Sequence, residues 1–332
     1  MTAEETPPPV KTRRLRRPKT ALGWFMAVMV TLVLFVGLVG IGSRYGVQSP
    51  QALLLIEAGT DGLKLGRLGK LKIEGLSGDI LSNFKVRRLT IADEKGVWLE
   101  ASNVAMEWRY LELLRRRLHA DKITADMVRV IRRPILTPKS KSRGLPVSFD
   151  IDSLKAKAET LPAFSVERGL FDVAAVFEIE RRGGGEGDVQ ILSLLHQGDG
   201  VKASFKYGRD KVFIVNADAM ESQGGPIAGS LGLGADQPFA LTARINGSKT
   251  AGKLKVLARS GPRSPLDATG AWGEGGLSAN GRIELTASTL LTKQVERFGP
   301  EARFTITGRK TATKGVYSVD LDVRSENATL RA

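Results

Sequence analysis

The chain of 332 residues carries 50 Lys and Arg against 35 Asp and Glu, which gives a net charge of +15, and it contains no cysteine. The absence of cysteine excludes disulfide bonds, thiolate metal sites and a cysteine nucleophile. The basic excess is typical of proteins that meet nucleic acid or an anionic membrane surface, and the order of the segments favours the membrane.

An uncharged apolar stretch occupies residues 21–42, between Lys19 and Arg44. As an α-helix these 22 residues would rise about 33 Å, enough to cross a hydrocarbon core of about 30 Å. The alternative is a cleaved signal peptide, since small residues close the stretch at 40–42, but the apolar core of a signal peptide runs only about 7–15 residues. We therefore predict a single-pass transmembrane anchor over 21–42.

The charges on either side of this stretch predict its orientation. Residues 1–20 are rich in proline and basic side chains, which predicts a disordered tail, whereas Arg44 is the one basic residue between positions 43 and 62. Basic flanks stay in the cytoplasm, so the N-terminus should lie inside and the chain after the span outside, away from nucleic acid. The residues that set this orientation are Arg13, Arg14, Arg16, Arg17 and Lys19.

Residues 43–135 form a first unit in which apolar and polar residues alternate, as at 70–74 and 97–101. This period of two predicts antiparallel strands. One short amphipathic helix is predicted over 110–118, and its Leu111, Leu114 and Leu118 should pack against the end of the sheet.

The segment around that helix is strongly basic, with eleven Lys or Arg and three acidic residues between positions 109 and 143. A solvated rim is the simplest interpretation. Contact of Arg115, Arg116 and Arg117 with anionic lipid headgroups is the alternative.

A proline-containing loop over 136–146 is predicted to separate this unit from a repetitive segment, 147–332. Strands are predicted at 147–151, 169–179, 189–195, 201–207, 212–217, 227–233, 239–245, 253–258, 277–285, 302–306, 316–323 and 328–330. Only residues 290–298 have a helical pattern.

The repetitive strands carry an apolar face that no second set of amphipathic helices can cover. Three architectures remain open at this point: a sandwich, a closed barrel, and a curved sheet whose apolar face forms a groove for another apolar molecule. The candidate groove-lining residues are Phe239, Leu241, Ala243, Ile245, Leu254, Val256, Val319, Leu321 and Val323.

Residues that could carry out catalysis are sparse. His119 and His196 are the only histidines, and no cluster of ligands or partners accompanies either of them in the sequence. The glycine-rich stretch 183–187 lacks the Gly-Lys-Ser/Thr ending of a phosphate-binding loop and is interpreted as a hairpin tip. We therefore predict no catalytic, cofactor or metal site, and a protein that is not an enzyme.

Residues 71–134 contain KIEGLSGDILSNFKVRRLTIADEKGVWLEASNVAMEWRYLELLRRRLHADKITADMVRVIRRP, behind the predicted anchor. This run resembles the start of the TamB family, the inner-membrane subunits of the translocation and assembly module. The resemblance implies an AsmA-like, taco-shaped β-groove in the bacterial periplasm that shelters phospholipid between the inner and outer membranes. It also implies a role in outer-membrane protein assembly and a barrel partner of the TamA type. Family members are much longer and carry a distinctive C-terminal domain, so this sequence is expected to be either a fragment that continues past Ala332 or a short form of the family.

The sequence thus predicts a mainly β protein: a single N-terminal transmembrane helix, followed by an elongated, curved antiparallel sheet with one or two short helices. The predicted function is a periplasmic bridge, held in the inner membrane, that carries phospholipid along the groove and contributes to outer-membrane biogenesis and protein secretion. The alternative is a structural adaptor that tethers an outer-membrane assembly or secretion machine and carries no lipid.

Overall fold

The computed structural model describes residues 53–54, 57–59, 61–64, 67–136, 147–181, 183–208, 212–248, 250–310 and 317–331. These residues are mainly β, with 64% of them in strands and few in helices. Among them, no helix has the length and apolar character that a membrane crossing requires. The predicted tail 1–20, the predicted anchor 21–42 and nearly all of the predicted loop 136–146 lie outside the described residues.

Seventeen strands form one long, uncurled sheet. The first nine are β1 Leu63–Lys64, β2 Lys70–Asp79, β3 Asn83–Asp93, β4 Gly96–Trp108, β5 Arg117–Val130, β6 Ser148–Thr160, β7 Gly169–Ile179, β8 Gly185–Ser193 and β9 Gly200–Tyr207. The remaining eight are β10 Val212–Glu221, β11 Phe239–Ser248, β12 Gly252–Ser260, β13 Arg263–Gly273, β14 Gly276–Glu284, β15 Glu301–Lys310, β16 Tyr317–Ser325 and β17 Thr329–Arg331.

Each strand pairs with the next one along the chain, and all but one of these pairs are antiparallel, which confirms the predicted antiparallel sheet. The exception is β5 with β6, which run parallel. A parallel pair needs a longer connection than a hairpin, and the chain between β5 and β6 includes residues 137–146, which lie outside the described residues.

The helices are short. Between the strands of the described chain these are the α-helices α1 Pro162–Ser165, α2 Pro226–Ser230 and α3 Thr292–Phe298, and the 3₁₀ helices Tyr110–Arg115, Leu285–Ala287 and Thr289–Leu291. Residues 53–54 and 57–59, before β1, are also helical. The helix predicted over 290–298 is confirmed in α3.

Two sequence predictions are wrong here. Residues 227–233 were expected as a strand, but α2 begins at Pro226, and the buried Glu221 carboxylate accepts hydrogen bonds from the backbone N–H groups of Ile227 and Ala228, both at 2.7 Å. An amphipathic helix was expected over 110–118, but the 3₁₀ helix ends at Arg115. Arg116 adopts a left-handed conformation with φ 59°, and β5 begins at Arg117.

The main hydrophobic core lies at the N-terminal strands and is centred on Ile80, Leu118 and Phe149, which are at most 1% exposed. The indole N–H of Trp98 donates to the Leu68 carbonyl and that of Trp108 to the Ile80 carbonyl, each at 2.8 Å. These tryptophans therefore fix the strand connections to the sheet. A smaller cluster lies beside α2 and contains Ala219, Ala228, Leu233, Phe239 and Ala287.

Candidate functional site

One face of the sheet carries an uninterrupted row of apolar residues from β2 to β17. Cross-strand partners share a face, so the strand registers define the row directly. Its members are Gly78, Phe84, Met106, Ile123, Leu154, Ala175, Val189, Ala203, Ala217, Ala243, Val256, Ala268, Gly281, Phe304, Val323 and Leu330. At about 4.8 Å between strands, the row extends roughly 70 Å.

Two further apolar rows flank this middle row. The first contains Ile191, Val201, Ala219, Leu241, Ala258, Leu266, Ile283 and Ala302. The second contains Phe205, Val215, Ile245, Leu254, Gly270, Ala279, Ile306 and Leu321. The three rows together are called the apolar band. Flanking positions are two residues away along each strand, so the band is about 14 Å wide.

The middle row contains only small side chains along much of its length. From β7 to β14 it consists of Ala, Val and Gly, whereas both flanking rows include Leu, Ile or Phe. Two glycines on this face leave space for aromatic rings: a Cβ at Gly281 would come within 2.6 Å of the Phe304 Cζ, and one at Gly187 within 2.9 Å of the Phe205 Cε1. Between β7 and β13 the small side chains give the band a low centre between two higher borders, whereas at Gly281 the Phe304 ring occupies the centre.

All nine residues predicted to line a groove lie on this face. Seven of them are half-buried: Leu241, Ala243, Ile245, Leu254, Val256, Leu321 and Val323. The other two lie near the starts of β11 and β16, at opposite edges of the apolar band. Phe239 is 1% exposed because it packs in the small cluster beside α2, whereas Val319 is 53% exposed.

The opposite face is polar. Its registers bring together Ser204, Asn216, Arg244, Lys255, Thr269, Asn280, Thr305, Asp322 and Arg331. Arg244 binds both carboxylate oxygens of Asp218, at 2.7 and 2.6 Å. An open depression beside this row is lined by polar side chains, Gln190, Lys202 and Asp218 among them, and by apolar residues such as Ala174 and Val176.

Sequence reasoning missed a charged cluster on β5 and β6. The His119 Nδ1 lies 2.7 Å from the Asp150 carboxylate, and its Nε2 lies 3.3 Å from those of Asp121 and Asp152. One atom each from His119, Asp150 and Asp152 lie within 4.8 Å of one another, so these three residues could hold a metal ion. Charged and apolar residues alternate in 117–121 and in 150–152, which indicates a polar face on each strand. The two polar faces come together only because β5 and β6 pair in parallel, and the sequence does not indicate that pairing.

Two arginines bind the same carboxylates. Arg117 pairs with Asp150 and lies 3.4 Å from Glu178, and Arg109 binds Asp121 through its Nε at 3.2 Å. A metal ion would have to compete with these guanidinium groups for its ligands. His196 does not join the cluster: it is on the connection after β8, 4.0 Å from Asp199.

The three arginines proposed to meet headgroups fall into two groups. The Arg115 side chain is 80% exposed and lies 3.0 Å from Glu112, and Arg116 is exposed as well. Arg117 is half-buried within the ion pairs of the sheet. Arg115 and Arg116 alone are therefore presented at the surface.

Several carboxyl groups with shifted pKa values lie at or near the ends of strands. Hydrogen bonding from Arg132 lowers the pKa of Asp93 well below its usual range, and hydrogen bonds from Arg129 and Arg168 lower that of Glu159. Burial raises the pKa of Glu221, although backbone N–H groups of α2 oppose the rise. These three carboxylates hold the segments between strands against the sheet.

No protein-family model matches the chain, and a search of curated proteins finds no relative. The resemblance of residues 71–134 to the TamB family stays a prediction.

Proposed function

We propose that the chain is a membrane-anchored periplasmic bridge that carries phospholipid along the apolar band between the inner and outer membranes, and that it thereby contributes to outer-membrane biogenesis. The supporting observation is the middle row, which crosses sixteen strands without a polar or charged side chain. A curved, taco-shaped closure of the sheet around the lipid belongs to the same proposal.

The energetic argument concerns the acyl chains. Each methylene that leaves an apolar environment for water costs about 0.8 kcal/mol, so a whole exposed chain is very costly. A continuous band replaces this single large barrier with many small steps along its half-buried part, from β9 to β12, whereas Phe84 and Met106 at the N-terminal end of the row are buried in the main core. A single charged side chain in the row would interrupt such a path.

The partial exposure of the apolar band supports the proposal that a lipid covers it. Ala203, Ala217, Ala243 and Val256 are half-buried, although they lie in the middle of a seventeen-stranded sheet. In the N-terminal core, by contrast, Leu118 and Ala120 are fully buried. An apolar face that the described chain does not seal is what a carrier of an amphiphile needs, since the ligand completes the burial.

Other parts of the proposal depend on the sequence alone. The anchor at 21–42, the cytoplasmic N-terminus and the absence of catalysis follow from the pattern of residues, and a TamA-type barrel partner follows from the resemblance. A structural adaptor would need no lipid on the band, so the occupancy of the band separates the two functions.

Photo-crosslinking in cells tests this proposal. Leu241 and Thr242 are neighbours on β11 with opposite faces and similar partial exposure, which makes them a matched pair. A benzophenone amino acid at Leu241 in the full chain should capture phospholipid, and one at Thr242 should capture little. Leu321 and Asp320 provide a second pair on β16. Equal capture at both members of each pair, or capture at neither, would favour the adaptor.

A further inference from the structure

The 3₁₀ helix Tyr110–Arg115 carries two leucines that the sequence predicted to be packed and the structure exposes. Leu111 is 58% exposed, and Leu114, at 72%, is the most exposed large hydrophobic residue in the described chain. Side chains three residues apart eclipse each other on a 3₁₀ helix, so these two form one apolar projection, called here the leucine pair. Tyr110 and Leu113 instead pack against the main core and hold the helix on the sheet.

Basic side chains surround the leucine pair. Arg115 and Arg116 follow it directly and are exposed, and the Arg109 side chain before it is 60% exposed. Between positions 109 and 117 there are four arginines and one acidic residue, Glu112. Exposed leucines beside cationic side chains are the composition of segments that lie in the interface of an anionic bilayer.

The position of the leucine pair in the chain agrees with such a contact. The 3₁₀ helix joins β4 to β5 in the N-terminal part of the sheet, and only residues 43–62 separate the predicted anchor from β1. An extended chain of that length reaches at most about 70 Å, so the first strands lie within that distance of the membrane that holds the predicted anchor, and contact with it is within reach.

We propose that Leu111 and Leu114 insert into the interface of this anionic bilayer while Arg115 and Arg116 bind its phosphate headgroups. The contact would orient the N-terminal end of the sheet on the membrane surface. It rests on the anchoring part of the proposed function and is independent of lipid transport along the band.

Site-specific fluorescence tests this contact, because the chain has no native cysteine to compete for a label. The full-length chain with Leu114→Cys carries an environment-sensitive dye and is reconstituted into vesicles of phosphatidylcholine alone or with phosphatidylglycerol. Leu290→Cys is the matched control, since Leu290 is 50% exposed on the connection between β14 and β15. We expect a blue shift and quenching by lipid-borne quenchers at position 114 in anionic vesicles, and neither at position 290.

Charge reversal tests the role of the arginines. A basic residue near an anionic surface contributes about 1 kcal/mol to membrane binding. The double substitution Arg115→Glu and Arg116→Glu should therefore lower the equilibrium constant for the membrane contact by at least about 25-fold. Dye at position 114 that is as hydrated as dye at 290 would overturn the proposal, as would equal signals in neutral and anionic vesicles. Capture of lipid at Leu241 in the same variants reports on transport separately, so the two proposals can fail independently.

Discussion

Gly281 on β14 lies opposite Phe304 on β15, and a Cβ at Gly281 would come within 2.6 Å of the Phe304 Cζ and 2.7 Å of the Asp267 carbonyl oxygen. The ring can move, but the backbone oxygen cannot move without disturbing the pairing of β13 with β14. The packing of the Phe304 ring against β14 therefore depends on a glycine at this position.

We expect Gly281→Ala to lower the free energy of unfolding by about 1–3 kcal/mol, the usual cost of overpacking. Urea unfolding of the full chain in detergent measures the change. Gly273→Ala is the control, because a Cβ at Gly273 meets nothing within 4 Å, and it should change the free energy by less than about 0.5 kcal/mol. Equal effects of the two substitutions would contradict the packing described here.

Charges should act differently at two positions on the same strand. Phe239→Asp places a carboxylate in a site that is 1% exposed, and we expect it to destabilise the fold by at least about 3 kcal/mol. Leu241→Asp lies on the half-buried band, where water can reach the charge, so the loss of stability should be smaller and the loss of lipid capture larger. Thermal unfolding and crosslinking compare the two variants. Unfolding by both would indicate that the band is a sealed core.

Glu159 should make the protein sensitive to acid. Its carboxylate accepts hydrogen bonds from the Arg129 and Arg168 Nε atoms at 2.6 and 2.7 Å, and these bonds lower its pKa from the ordinary value of 4.5. Because the folded-state pKa is lowered, the stabilisation is complete above the unfolded value and is lost as pH falls through the folded one.

Glu159→Gln should therefore cost about 1–3 kcal/mol at pH 7, and the difference from the wild type should shrink as pH falls below about 4.5. Unfolding free energies between pH 7 and 3 measure it. Glu186→Gln is the control, since its pair with Lys206 is more than half exposed and should matter little. A difference that stays constant with pH would exclude the proposed ion pairing.

The cluster around His119 gives a test of the absence of catalysis. Replacing His119 and His196 with Gln together should leave lipid capture at Leu241 unchanged in protein that folds normally, because no proposed step uses an imidazole. Zinc added to the wild type should likewise leave capture unchanged. Loss of capture in a folded double variant would show that the cluster at β5 and β6 takes part in function.

The alternation of apolar and polar residues predicted most strands because a half-buried sheet imposes a period of two, as β7 and β11 show. It missed β13, where Pro265 interrupts the pattern; Pro265 can lie within the sheet because the register shifts between Ala258 and Ser260 leave it without a partner. The same alternation wrongly predicted a strand over 227–233. The start of α2 is stabilised by the Glu221 carboxylate of β10, a contact that the local pattern of residues does not indicate.

The functional face was only partly predictable. The nine predicted lining residues came from single strands with a clean apolar side, such as β11. The continuity of the middle row depends on the registers of every strand pair, and those registers are set by contacts between distant parts of the chain. The exposure of Leu111 and Leu114 was missed because the predicted α-helix grouped them with Leu118 on a packed face. In the structure Leu118 belongs to β5, and the 3₁₀ helix packs through Tyr110 and Leu113 instead.

The most direct test of the account is a block in the middle of the apolar band. Ala243 lies in the middle row between Ala217 and Val256, and Ala243→Phe would fill the low centre on an open face. Thr242→Phe adds the same ring to the polar face and serves as the control.

In the full chain, a crosslinker at Val189 reports lipid on the N-terminal side of Ala243, and a crosslinker at Leu321 reports lipid on its C-terminal side. Because the proposed anchor supplies lipid at the N-terminal end, Ala243→Phe should leave capture at Val189 intact and lower capture at Leu321 several-fold, whereas Thr242→Phe should change neither. Undiminished capture at Leu321 in folded Ala243→Phe protein would contradict transport along the band.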